Sequence, residues 1–180
     1  ARQATNKGAY RLASTDISSP EIDGCLGLLP CDPSPIAKTT IEHRYRSLEQ
    51  NAIWLNHLLP DQIWITVEQP ANGFDREHLQ FLQNVSNRVK IPLVAAGNVH
   101  MHIRGRQRLQ DTLTAIRLGT TVYKAERHLS TNAERHLRTL VLLEKSYPPN
   151  LLRESLSIAK CCVFSLSELH YEYPREHVPT

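Results

Sequence analysis

The 180-residue sequence lacks the features that mark membrane, secreted and metal-finger proteins. It has no run of 18 apolar residues, and its first residues do not show the charged-then-apolar pattern of a signal peptide. Its four cysteines lack the paired spacing of a zinc finger, so we expect reduced, buried thiols. Together these absences predict a soluble, cytoplasmic protein that does not interact with a membrane.

The sequence also lacks the short motifs of several catalytic classes. It contains no Gly-rich phosphate loop, no G-x-S-x-G nucleophile elbow and no C-x-x-C pair. Its aspartates are well separated and no Asp-x-Asp occurs, whereas two-metal nucleotidyl transfer needs clustered carboxylates. We therefore predict that this segment holds no catalytic residue.

Charge of one sign is not in large excess either. The chain has 21 Lys and Arg against 18 Asp and Glu, which gives a net charge of +3. This balance is too mild to indicate nucleic-acid binding by itself. The apolar content of 41% is ordinary, and the length is sufficient for one packed core.

What the sequence does contain is an alternation of apolar strands and amphipathic helices. Strands are predicted at CLGLL (25–29), IWITV (63–67) and IPLVAA (91–96). Helices are predicted after each strand: at about 40–59 with a threonine cap, from an Asp75 cap onward, and at 109–118 with Gly119 as the closing cap. This order predicts an α/β fold with parallel strands and right-handed crossover helices. Two more helices are predicted at 138–145 and 149–162.

The third strand is followed by a polar turn that contains Asn98, His100 and His102. Polar side chains at the carboxyl end of a buried parallel strand have the layout of an α/β active site. Side chains two residues apart can face the same way, so Asn98 and His100 are expected to reach one point. Glu68 ends the preceding strand and is a supporting polar group or an exposed carboxylate. His102 is a further imidazole or a solvated loop residue.

A basic run, Arg104, Arg106 and Arg108, follows this turn. Such residues hold a DNA backbone by neutralising phosphates, but they also occur in solvated loops that form ion pairs. No aromatic residues lie between the arginines, so stacking on single-stranded DNA is not supported. Both interpretations remain open for this run.

Several long runs resemble, in the same order, the error-prone, α-subunit-type DNA polymerases of bacteria. The matching words are PLVAAGNVHMH…LQDTLTAIRLG, ARQATNKGAYRL at the start, ERHLRTL (134–140), SYPPNLLRESLSIAKCCVFSLSELHYEYP (146–174) and the final REHVPT. Residues 32–68 match only loosely. In that family these runs lie in the N-terminal PHP (polymerase and histidinol phosphatase) domain.

The resemblance implies a fold, a distorted PHP-type barrel of seven strands and helices, (β/α)7, of which this chain supplies the C-terminal part. Residues 1–125 would complete the PHP domain, and residues 126–180 would form a helical extension toward the polymerase body. The first barrel strands, with the paired-histidine motif of the family, are absent from the sequence. We therefore expect the chain to be a piece of a longer protein.

The resemblance also implies a metal site, which is degenerate in this chain. Metal-dependent PHP proteins have an Asp-x-His pair for zinc or manganese where this sequence has Asn98 and His100. An amide oxygen is a neutral and weaker ligand, and it cannot act as a base. Magnesium would serve the polymerase domain, which lies outside this segment.

As a whole, the protein implied by the resemblance is a DNA-directed DNA polymerase that acts in damage-induced mutagenesis and lesion bypass. Its partners would be DNA, the sliding clamp and mutagenesis accessory proteins, and this segment would be a scaffold. Two alternatives are a stand-alone PHP-type metal-dependent phosphoesterase and a non-catalytic DNA-binding module.

Overall fold

The computed structural model describes Ile17, residues 22–31 and residues 41–168, with side chains in the last range from Arg46 onward. The described residues form three strands and five α-helices. In chain order these are β1 (Gly27–Leu29), α1 (Ile41–Leu58), β2 (Ile63–Val67), α2 (Asp75–Val89), β3 (Leu93–Ala95), α3 (Gln107–Arg117), α4 (Leu140–Ser146) and α5 (Pro149–Cys161).

The three strands form one parallel sheet in the order β1-β2-β3. Ile65 at the centre of β2 lies opposite Leu29 of β1 and Leu93 of β3. All five residues of β2 are buried, as expected for a central parallel strand that is covered on both faces. The predicted α/β fold with parallel strands is confirmed.

One face of the sheet packs against α1 and α2. Strand alternation places Ile63, Ile65 and Val67 on this face, because every second side chain of a strand points the same way. They form the main apolar core with buried residues of the two helices: Leu48 and Ala52 from α1, and Leu82 and Val85 from α2. The described apolar residues of these two predicted amphipathic helices thus face the sheet.

Helix α5 packs mainly against β3, and one hydrogen bond joins it to the other face of β2. Trp64 points away from the α1–α2 side, and its Nε1 donates a hydrogen bond to Glu154 Oε1 of α5 at 2.8 Å. Leu151 of the same helix is buried in the core. These contacts connect residues before position 125 with residues after it. The division into two domains that the sequence predicts falls at this position, and that division stays a prediction.

The caps of the helices agree with the sequence in one case and differ in another. Gly119 follows α3 with φ +62°, and its N–H bonds to the Ile116 carbonyl, so the predicted closing cap is confirmed. Asp75, however, is the first residue of α2 and not its cap, which is Phe74. Asp75 Oδ2 instead accepts a hydrogen bond from the Ala71 N–H at 2.9 Å and closes the preceding loop. The threonines predicted to cap α1 lie outside the described residues.

The expectation of buried thiols is correct for one cysteine and wrong for three. Cys31 is buried, whereas Cys25, Cys161 and Cys162 are exposed. The last two lie at the end of α5, where no other described element covers them. All four are free thiols.

The described strands make an open sheet and not a closed barrel. The seven-stranded PHP barrel is therefore not seen here, and it remains a hypothesis about a longer protein. None of the helices in the described part of the chain combines the length and the apolar character needed to span a bilayer.

Gly27 provides a test of the packing between β1 and α1. A Cβ atom at this position would lie 2.8 Å from Ile63 Cγ2 and 3.2 Å from Leu55 Cδ2. Gly27→Ala is therefore expected to lower the free energy of unfolding by about 1–3 kcal/mol, as overpacked cores do. Urea unfolding measures this change.

The matched control is Gly105→Ala. The nearest atom to a Cβ there is Ile103 Cδ1 at 3.9 Å, which is ordinary contact. Equal stability of the two alanine variants would contradict the close approach at Gly27.

Candidate functional site

Polar side chains meet where β2 and β3 end. Glu68 follows β2 directly, and Asn98 and His100 lie in the turn after β3. Asn98 Nδ2 donates a hydrogen bond to Glu68 Oε2 at 2.9 Å, and His100 Nε2 lies 3.0 Å from Asn98 Oδ1. The structure thus brings together three of the predicted site residues in one hydrogen-bonded chain.

The chemistry of Glu68 sets the proton positions along this chain. A carboxylate only accepts hydrogen bonds, so the NH2 group of Asn98 must face Glu68. The amide oxygen of Asn98 then faces His100, and the proton of the imidazole must lie on Nε2. Nδ1 of a neutral His100 is left as an acceptor.

The backbone of Asn98 also favours an asparagine. Its φ is +42°, in the left-handed region that short polar residues tolerate better than other side chains. The turn after β3 therefore uses Asn98 twice, once for its backbone conformation and once for its amide.

A fourth side chain reaches the site from a distant part of the chain. Arg135 Nη1 lies 3.7 Å from Glu68 Oε2, and both side chains are mostly buried. The Arg135 carbonyl accepts hydrogen bonds from the N–H groups of His100 and Met101, and Met101 forms an isolated parallel bridge with His136. We call Glu68, Asn98, His100 and Arg135 the strand-end cluster.

The same distant segment also fixes the loop after β2. Asn132 Nδ2 donates to the Pro70 carbonyl at 2.7 Å and to the Ala71 carbonyl at 3.1 Å. Arg138 Nη2 donates to the Gln69 carbonyl at 2.7 Å. Carbonyls that extend beyond a strand end would otherwise need water, so residues 132–138 stabilise the backbone that carries Glu68.

Tyr147 connects the ends of the two strands. Its hydroxyl accepts a hydrogen bond from the Gln69 N–H at 3.3 Å and donates one to the Ala96 carbonyl at 2.9 Å. The ring is buried in the core. Burial raises the pKa of this hydroxyl, although the Gln69 hydrogen bond and Arg138 oppose the rise, so the phenol keeps the proton that it donates.

The electrostatics of the cluster disfavour a charged His100. Burial lowers the pKa of this imidazole, the positive charge of Arg135 lowers it further, and Arg117 acts in the same direction. Only Glu68 opposes the shift. The neutral tautomer with its proton on Nε2 is therefore the favoured form.

The residues of the cluster do not fit a zinc or manganese ion as they are arranged. The described residues contain no group of three or more His, Cys, Asp or Glu side chains that could hold a metal. Both polar atoms of Asn98 are used within the cluster, and Arg135 places a positive charge beside the only carboxylate. What the cluster can do chemically is to link two strand ends and a distant segment.

The remaining predicted residues lie outside this cluster. His102, Arg106 and Arg108 are exposed to solvent. Arg104 forms an ion pair with Glu134, with Nη2 at 2.8 Å from Oε1, so one of the three predicted DNA contacts is partly neutralised within the chain. Sequence reasoning named Glu68, Asn98 and His100 but gave no role to Tyr147 or Asn132, which lie far away in sequence and carry no motif.

Comparisons with known proteins show what this α/β chain is similar to. No protein-family model matches the chain. Over 178 residues, 99% of the chain, it is 43% identical to an error-prone DNA polymerase of Methylococcus capsulatus and 40% identical to one of Pseudomonas paraeruginosa. It is 41% identical over 180 residues to an error-prone DNA polymerase of Dechloromonas aromatica.

The resemblance found in the sequence is thereby confirmed: along nearly its whole length, the chain is homologous to a part of the error-prone DNA polymerases. It spans only about one sixth of the length of these curated relatives, 16% of the first two and 17% of the third. The chain is therefore a counterpart of one segment of such a polymerase.

Tyr147→Phe tests the contact between the strand ends. The variant keeps the buried ring but removes the hydroxyl that serves Gln69 and Ala96, so we expect a loss of about 1–2 kcal/mol in the free energy of unfolding. Tyr123→Phe is the control, because Tyr123 is 88% exposed and should change stability by less than about 0.5 kcal/mol. A Tyr147→Phe variant as stable as the control would show that the contact contributes nothing.

The lowered pKa of His100 predicts a pH dependence of stability. The folded chain binds the imidazole proton less readily than the unfolded chain, whose histidine has the ordinary pKa of 6.5. The free energy of unfolding should therefore fall as the pH drops through this value. His100→Gln is expected to lose less stability than the natural chain between about pH 7.5 and about pH 5.

Denaturant titrations at several pH values measure this difference. His102→Gln is the matched control, because it removes a histidine that is exposed to solvent two residues away. The free energy of unfolding of this variant should fall with decreasing pH as steeply as that of the natural chain. An unchanged slope for His100→Gln would mean that the surroundings of His100 do not disfavour its protonation.

Proposed function

We propose that the chain is the C-terminal part of a PHP-type domain in an error-prone DNA polymerase, and that it serves there as a scaffold. Its homology to a region that makes up about one sixth of such polymerases supports this choice of parent protein. The parallel strands with their covering helices suit part of a (β/α)7 barrel, whose remaining strands would come from the rest of the polypeptide.

The strand-end cluster is the observation that carries the scaffold role. Asn98 is hydrogen-bonded to both Glu68 and His100, and Arg135 lies beside the carboxylate. A hydrolytic metal site gathers three protein ligands around an open position, whereas the described residues hold no group of three such donors and Asn98 uses both of its polar atoms on its neighbours. The cluster is best interpreted as a degenerate zinc or manganese site in which polar contacts have replaced the metal.

For the whole protein we propose DNA-directed DNA synthesis in damage-induced mutagenesis and lesion bypass. Its magnesium-binding carboxylates would lie outside this segment, in agreement with the scattered aspartates of the chain. Its partners would be DNA, the sliding clamp and mutagenesis accessory proteins, and its location the cytoplasm. The names of the relatives, error-prone DNA polymerase, support the activity.

A second candidate function for the segment is contact with the DNA backbone. Arg106 and Arg108 support it, because their guanidinium groups are exposed and can neutralise phosphates. Arg104 contributes less, since Glu134 already pairs with it. The alternative of a stand-alone metal-dependent phosphoesterase is disfavoured, because the side chains of the strand-end cluster do not fit a metal ion as they are arranged.

Asn98→Asp in the full-length protein tests the proposal. The change restores a carboxylate beside Glu68 and His100, so zinc or manganese content should rise. Primer extension on intact and lesion-containing templates with magnesium should proceed at the natural rate, because a scaffold does not touch the reacting atoms. Asn87→Asp, on the exposed side of α2, is the matched control and should alter neither quantity.

The outcomes separate the parts of the proposal. A natural full-length protein that does not extend a primer would overturn the polymerase assignment. A folded Asn98→Asp variant with lost extension would instead place the cluster in the reaction. Metal content equal to that of the Asn87→Asp control would show that no latent metal site exists.

A further inference from the structure

Helix α3 turns its polar side inward. Thr114 and Ala115 are buried, and Gln107 and Asp111 are partly buried. Gln107 Nε2 donates to Asp111 Oδ1 at 3.0 Å and lies 3.5 Å from the Ser130 carbonyl. The inner side of α3 is thus attached to the segment that follows it through small and polar groups.

The outer side of α3 is apolar. Leu109, Leu113 and Ile116 recur at the four- and three-residue steps of one helix face, and we call them the α3 stripe. Their side chains are 50%, 52% and 68% exposed, respectively. An ordinary surface helix of a globular protein would bury this stripe and expose the threonine, so the orientation indicates that something else covers the stripe.

Two arginines border the α3 stripe. At 100° per residue, Arg108 lies on one side of the stripe and Arg117 on the other, and both are exposed. The carboxylate of this helix, Asp111, lies on the opposite side and is bonded to Gln107. A complementary surface would have apolar side chains at its centre and acidic residues at its border.

The α3 stripe is too small to hold a separate partner firmly. Three half-exposed aliphatic side chains offer on the order of 300 Å², whereas stable interfaces bury about 800 Å² on each partner. A segment of the same polypeptide needs less area, because its effective concentration is high. Most of the length of the relatives, about five sixths, lies outside the region that this chain matches.

From these observations we infer that the α3 stripe is an internal docking surface of the full-length protein. Its occupant is an apolar segment with acidic residues at its border, from the part of the polypeptide outside these 180 residues. The inference rests on the proposed function, because it requires the chain to be one segment of a longer polymerase. It competes with the second candidate function for Arg108, which it assigns, together with Arg117, to protein contact and not to the DNA backbone.

Thiol labelling of the full-length protein tests this inference. Leu113→Cys places a small probe at the centre of the stripe without adding charge, and Gln83→Cys places one on the exposed side of α2. Peptide mass spectrometry after brief alkylation reports each thiol separately, and the buried Cys31 gives the slow reference. We expect the thiol at 113 to react about tenfold or more slowly than the thiol at 83, in dilute protein without DNA.

Each other outcome overturns the inference. Equal reaction rates at 113 and 83 would leave the stripe uncovered. Protection that appears only at high protein concentration would assign it to a second copy, and protection that appears only with added DNA would assign it to nucleic acid. Primer extension measured on the same Leu113→Cys sample separates the docking inference from the proposed polymerase function. An active polymerase with a reactive thiol at 113 would refute the docking surface and leave the polymerase function standing.

Discussion

The burial of β2 on both faces is the constraint on which the other features depend. Helices α1 and α2 cover the side of β2 that carries Ile63, Ile65 and Val67, and Trp64 on the other side reaches α5. A strand fixed in this way places Glu68 at a defined point at its carboxyl end, where the residue is only 8% exposed to solvent. The position of the cluster thus follows from apolar packing, and its polar contacts determine only what the strand end can do.

A neutral amide at position 98 determines the character of that strand end. An amide can donate to Glu68 and accept from His100 at the same time, which a carboxylate cannot do. The amide therefore connects Glu68 to His100, and Arg135 lies beside the Glu68 carboxylate. The same residue accepts the left-handed backbone of the turn, so a single position joins the local conformation to the long-range contacts.

Features that depend on local periodicity could be predicted from the sequence, and features that depend on distant partners could not. The strands, the helices and the meeting of Asn98 with His100 follow from alternation and from residue spacing. Arg135 and Tyr147 join the site across intervals without a pattern, and Asp75 binds the preceding loop rather than capping its helix. The outward stripe of α3 was hidden because periodicity shows that a helix has an apolar side, but not which neighbour covers it.

The support that residues 132–147 give to the ends of β2 and β3 has a consequence for the order of folding. Glu68 and Asn98 leave the ribosome long before Asn132, Arg138 and Tyr147, which bind the backbone beside them across 51 to 78 residues. Contacts so distant in sequence form late, because the loop between them must first be closed. During synthesis the strand ends therefore remain without these partners until the start of α5 has emerged, and this interval is when a nascent chain most needs protection from misfolding.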